Sequence, residues 1–221
     1  MTNYFNNVFL FSAMMLSTLL LVGCGSDNAR LRERAQIEGE ESAKKSVEIE
    51  TRAREDRVQR AEAELQRKLL FYNALEGKYA VTDQNGWELE LNVLSTLAYF
   101  KTDRVRTEEE VKSDLDRLAL KIDMSFSNGA AQESYLADFV KVDLNNGLVT
   151  FMAMDHENQP VYEYILSVGG VAEAEDKPNP NGPRIASQIL AGSINKIGKV
   201  WVKERRLRTR ENSNFEMERV K

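Results

Sequence analysis

Three hydropathy regimes follow one another along the chain. Val8 to Val22 is an almost unbroken apolar run (VFLFSAMMLSTLLLV). From about Asn28 to Glu76 the sequence is charged, rich in Glu, Arg, Ala and Gln, with no proline and a single glycine, Gly39. After Gly77 the period falls to two, the spacing of half-buried strands. The middle regime predicts one long helix over 28–76, with an interruption near Gly39 to Ser42. Acidic residues precede basic ones by four at Glu40–Lys44, Glu41–Lys45, Glu48–Arg52, Glu50–Arg54, Asp56–Arg60 and Glu64–Lys68. That order and spacing contributes ~0.2–0.5 kcal/mol per pair to a helix. Leu31, Ala35, Val47 and Ile49 keep no heptad, whereas Val58, Ala61, Leu65, Tyr72 and Leu75 fit alternating a and d positions with Lys68 interrupting them. The pattern suits a single ion-paired helix whose last turns dock on the domain that follows. It also suits a parallel homo-oligomeric coiled coil, and charge this dense permits disorder. As a helix the segment spans on the order of 70 Å, a spacer.

The third regime, 77–221, predicts an antiparallel β-domain, a barrel or a sandwich. Gln84-Asn85-Gly86 signals a turn, and Trp87, Leu89, Leu91 and Val93 alternate with Glu88, Glu90 and Asn92. Thr96 to Lys101 suits a short return strand, and Thr107 to Asp116 suits a helical turn or an acidic loop. Leu118, Leu120, Ile122, Met124 and Phe126 alternate with polar partners, and Ser127-Asn128-Gly129 is the next turn. Leu136 to Leu144 and Leu148 to Met154 form a hairpin about Asn145-Asn146-Gly147. Val161 to Val168, Ile185 to Ile194, Lys199 to Arg206 and Phe215 to Val220 complete a set of roughly eight to ten short strands. Glu173 to Pro183 is a Pro- and Gly-rich loop. Large inward candidates (Trp87, Leu89, Leu91, Leu120, Ile122, Met124, Phe126) favour a filled barrel over a hollow one.

The apolar run ends in Leu21-Val22-Gly23-Cys24, which holds the only cysteine. This resembles the lipobox of bacterial lipoproteins. At about 15 residues the run fits a signal-peptide core and falls short of the ~20 that span a bilayer. The resemblance implies a signal peptide over 1–23, cleavage before Cys24, and acylation of Cys24, including palmitate, at a lipidated N-terminus covering 24–27. Several acyl chains together anchor a protein stably. Gly25 in place of Asp implies the outer membrane, with the protein facing the periplasm. Met1 to Asn7 carries no Lys or Arg, a departure from the usual basic n-region. Gly77-Lys78-Tyr79 and Gly198-Lys199-Val200-Trp201 resemble the calycin-like barrels, the lipocalin group among them, with Tyr79 where those barrels carry tryptophan.

Composition narrows the chemistry. The chain has 221 residues and a net charge of -5, which argues against nucleic-acid binding. With Cys24 acylated, no thiol remains for a disulfide, a metal or a nucleophile. The single histidine, His156, sits in a polar turn without ligand-spaced partners. No nucleophile triad, phosphate-cradling loop or zinc spacing is present, so neither an enzyme nor a cofactor is expected beyond the covalent lipid. Arg206, Arg208 and Arg210 alternate and on an extended strand would share one side, where they could grip phosphates or carboxylates of lipid headgroups or peptidoglycan; the plainer role is protection of a sheet edge. The terminal Lys221 resembles the wall-linked end of murein lipoproteins. Two functions fit: a helical stalk presenting a β-domain to an envelope protein or polymer such as peptidoglycan, or a lipocalin-like carrier of an apolar ligand.

Overall fold

The computed structural model describes residues 27–82, 86–97, 106–129, 131–170 and 181–220. A long helix, α1 (Asp27–Leu75), is followed by eight antiparallel strands: β1 (Gly77–Thr82), β2 (Glu88–Ser95), β3 (Leu120–Asn128), β4 (Ala131–Asp143), β5 (Leu148–Met154), β6 (Pro160–Ser167), β7 (Lys199–Arg206) and β8 (Asn212–Arg219). The strands pair in chain order and close into a barrel, β8 returning to β1 through Tyr79↔Arg219 and Ala80↔Glu218. Two short helices, α2 (Glu108–Arg117) and α3 (Gly182–Leu190), interrupt the meander.

The chain divides into two compact units at Arg54/Glu55, inside α1. In the first, the described side chains of the helix are all exposed, Leu31, Ile37, Val47 and Ile49 included. No break occurs at Gly39 to Ser42. One glycine costs a helix about 1 kcal/mol, which its good helix-forming neighbours absorb. Two of the expected pairs are closed, Glu48–Arg52 at 2.6 Å and Glu64–Lys68 at 3.0 Å.

In the second unit the helix turns amphipathic. Leu65, Leu69, Phe71, Tyr72, Ala74 and Leu75 are buried in the same core as the barrel interior, so within this unit the apolar stripe is covered by strands. The helix ends with every late carbonyl partnered. Tyr72 O accepts from Glu76 N (2.8 Å), Asn73 O from Lys196 Nζ (2.6 Å), Ala74 O from Ile197 N (2.8 Å) and Leu75 O from the Tyr79 hydroxyl (2.8 Å). Helix C-termini leave such groups orphaned and favour a nearby cation. Here the last turn has no basic residue of its own, and Lys196 supplies the charge. Burial pushes the Tyr79 hydroxyl up to about 12, with Arg219 opposing the shift. These bonds hold the end of α1 at the mouth where β1 begins and β8 ends.

Two expectations need correction, and one open alternative is decided. Ile185 to Ile194 is no strand: Gly182–Leu190 is helical, with Pro183 in the first turn. Ala186 and Ile189 are buried and Ile185 packs against the core, a three-to-four spacing on one face. The strand expected at Leu136 starts at Ala131. Its alternation is masked because a bulge between Asp138 and Lys141 shifts the register; Phe139 takes φ 53° there, and the inward set changes from Tyr135 and Ala137 to Val140 and Val142. Thr107 to Asp116 resolves as a helix with a capping box, Glu110 N donating to Thr107 Oγ1 and Thr107 N to Glu110 Oε2. Gln84, Asn85, residues 98–101, and most of the loop expected at Glu173 to Pro183 lie outside the described residues.

Candidate functional site

The two barrel ends differ. At the end holding Gly77, Ser95, Leu120, Ser167, Lys199 and Arg219, the tail of α1 fills the opening. Gly147 and Gly169 lie close against the start of α3. At the other end a cup of about 720 Å³ is lined by the last residues of β1 and β7, by Phe126 of β3, by Trp87 and Leu89 at the start of β2, and by residues early in β4, β6 and β8. That size lies within the ~300–1,000 Å³ of small-molecule pockets. The apolar wall is Val81, Trp87, Leu89, Phe126, Tyr162 and Phe215; the polar part is Thr82, Glu133, Glu204, Arg206, Ser213 and Asn214.

The aromatic residues are held by one another. Tyr162 lies edge-on to Tyr135 (centroids 5.6 Å, 87°) and 6.1 Å from Phe126, which itself meets Tyr135 edge-on at 5.7 Å. One inward position deeper on β6, Tyr164 is fully buried and stacks on Phe151 at 5.4 Å. Such contacts each add ~0.5–1.5 kcal/mol beyond area burial, so these rings form a stiff wall.

Glu204 is the unusual group. It occupies an inward position of β7 after Val200 and Val202, and is 5% exposed. A buried carboxylate needs partners, and it has two: the Tyr164 hydroxyl donates to Oε2 at 2.8 Å, and Arg206 Nε donates to Oε1 at 3.3 Å. Burial, with the adjacent Glu204 charge and its hydrogen bond, drives the Tyr164 hydroxyl far above the ordinary tyrosine range, so it stays a donor. The Glu204 bond in turn raises Arg206. On β4, Glu133 Oε2 accepts from the Tyr135 hydroxyl at 2.8 Å, and Tyr135 is likewise pushed up, first by burial and then by that bond. The cup thus offers rigid aromatic faces beside fixed charges.

The arginines do not line up. β7 ends at Arg206, residues 207–209 form a turn, and Arg210 takes φ 59°. Arg206 reaches into the cup between Glu204 and Glu211, while Arg208 faces Asp155 at 3.8 Å. A common anion-gripping side is therefore not formed. His156 is exposed in the β5–β6 turn, 3.9 Å from Glu157, and no metal-ligand group occurs among the described residues. Cys24, the signal segment and Lys221 lie outside the described residues. Among the described residues no helix is long and apolar enough to cross a membrane, which says nothing of strands.

Of the inward candidates read from sequence, Leu91, Leu120, Ile122 and Met124 are buried core, while Trp87, Leu89 and Phe126 line the cup. Glu133, Tyr135, Tyr162, Glu204 and Phe215 were not anticipated. The available signal was Val200-x-Val202-x-Glu204-x-Arg206, an apolar alternation that runs on into two charges. No family model matches this chain, and neither a curated protein nor a solved structure does.

Proposed function

We propose that this chain is an envelope lipoprotein, acylated at Cys24, whose barrel binds a small ligand in the open cup. One observation carries the reading: a cup of about 720 Å³ walled by Trp87, Phe126, Tyr162 and Phe215, with the rest of the barrel filled by core side chains. An eight-stranded barrel has just enough interior for side chains or one small ligand, and this one divides that space between the two. The lipobox pattern at Leu21-Val22-Gly23-Cys24 supports the outer membrane as the anchoring site, and the long charged helix supports a spacer role. The resemblance of Gly77-Lys78-Tyr79 to calycin-like barrels points the same way.

Native mass spectrometry of the chain, released from membranes and exchanged out of detergent, tests the cup. A copurified small-molecule mass is expected, and Ser213→Trp, which fills the cup from a rim position, should abolish it without lowering Tm. An empty wild-type protein that also takes up no small molecule from a bacterial lipid extract would sink the proposal. Radiolabelled palmitate incorporation, lost in Cys24→Ser, tests the anchor separately.

A further inference from the structure

We infer that the cup selects a small monocationic ligand with an apolar or aromatic body; this deepens the ligand-binding reading above and rests on it. The charges among its described lining residues are Glu133, Glu204 and Arg206, a net of one negative charge. The single guanidinium is shared further: Arg206 Nε meets Glu204 Oε1 at 3.3 Å and Nη1 meets Glu211 Oε2 at 3.7 Å. Two carboxylates therefore hold the one guanidinium, and a third, Glu133, stands in the lining on β4, three strands round the barrel from β7.

Each ligand class meets this arrangement differently. An anion would have to draw Arg206 from carboxylates that already hold it, inside a wall of excess negative charge. A neutral molecule would leave the one excess negative charge of the lining without a counter-charge while excluding the water that screens it. An ammonium completes the balance. It can approach Glu133 on one side and Glu204 on the other. The faces of Trp87, Phe126, Tyr162 and Phe215 add the attraction of aromatic quadrupoles for cations, strongest for tryptophan. The walls also bury the ligand's carbon body. Tyr164 and Tyr135 already donate to Glu204 and Glu133, so both carboxylates are fixed in place before a ligand arrives.

Three probes with one body separate charge from shape: 6-phenylhexylammonium, 6-phenylhexanol and 6-phenylhexanoate. Binding is measured by titration calorimetry on the full chain in zwitterionic phosphatidylcholine nanodiscs, with empty discs subtracted. The ammonium should bind about tenfold tighter than the alcohol, the size of one charge-assisted or cation–π contact, and the carboxylate weakest. Raising salt from 50 to 500 mM should narrow the ammonium–alcohol gap. Glu204→Gln and Glu133→Gln should each weaken the ammonium more than the alcohol and so shrink that gap; if Glu204→Gln fails to fold, Glu133→Gln, at an exposed position, carries the test. Alcohol or carboxylate binding as tightly as ammonium overturns the cationic preference and leaves the ligand-binding cup standing. Binding of none of the three overturns both.

Discussion

Two side chains show how local chemistry is set by partners. Asp143 closes the β4–β5 turn: its carboxylate accepts from Asn145 N (3.0 Å), Asn146 N (3.1 Å) and Asn146 Nδ2 (2.7 Å). The Asn146 side chain foremost holds its carboxyl below the ordinary aspartate value. A lowered folded-state pKa stabilises the fold above the unfolded value of ~3.9 and ceases to do so as pH falls through the folded value. Asp143→Ala should therefore cost about 1 kcal/mol at pH 7, modest because the site is exposed to solvent. Urea titrations at pH 7 and pH 3 should show that cost shrinking in acid. Tyr164→Phe tests the cup floor. It strips one of two donors from a buried carboxylate, an unmet bond worth about 1–3 kcal/mol, and thermal unfolding should register it. The Asp143 turn was legible, since Asn-Asn-Gly marks a hairpin in any context. The Glu204 partnership was not, because Tyr164 lies forty positions away on the neighbouring strand.

Elements differ in how far their periodicity spoke for itself. The helix over 28–76 follows from its acid-then-base pairs four apart, and the strands starting near Gly77, Leu120, Leu148, Val161 and Lys199 follow from two-residue spacing, because each has one apolar face that must be covered. Two elements misled. In β4 the bulge at Phe139 changes the inward parity midway, so no single alternation runs through it. In α3 only nine residues carry the helical spacing, too few to stand out from a strand rich in isoleucine. The helix α1 makes a sharp comparison possible. Leu75 is fully buried, and Leu75→Ala should cost about 2–5 kcal/mol. Leu31, 62% exposed on the same helix, should change stability by less than ~0.5 kcal/mol when replaced by alanine. Urea unfolding of the two variants, followed by circular dichroism, checks both; equal losses would mean that the exposed half of the helix is covered by a partner.

Closure of the ring creates a property no single strand has. The β2–β3 pair runs through eight registered residue pairs, whereas the β1–β8 seam has two, supplemented by Val220 N to Lys78 O. Arg219 reinforces it, donating to Glu76 O and lying 5.9 Å from the Tyr79 ring centroid. Native-state hydrogen exchange should find amides of the seam opening well before those of β2 and β3, since local opening follows the density of local bonds; uniform protection around the ring would contradict this. The order of helix, strands and turns, and the lipobox-like Leu21-Val22-Gly23-Cys24, are properties of neighbouring residues and could be read from the chain. The cup could not. Glu133, Tyr162, Glu204 and Phe215 come from four strands, and alternation says only that each faces inward. Whether an inward position is packed core or open wall depends on where the barrel's ends fall and on which end the helix fills. Long-range pairing decides that, through Lys196 and Ile197 donating to the carbonyls of α1 at one end and leaving the other open.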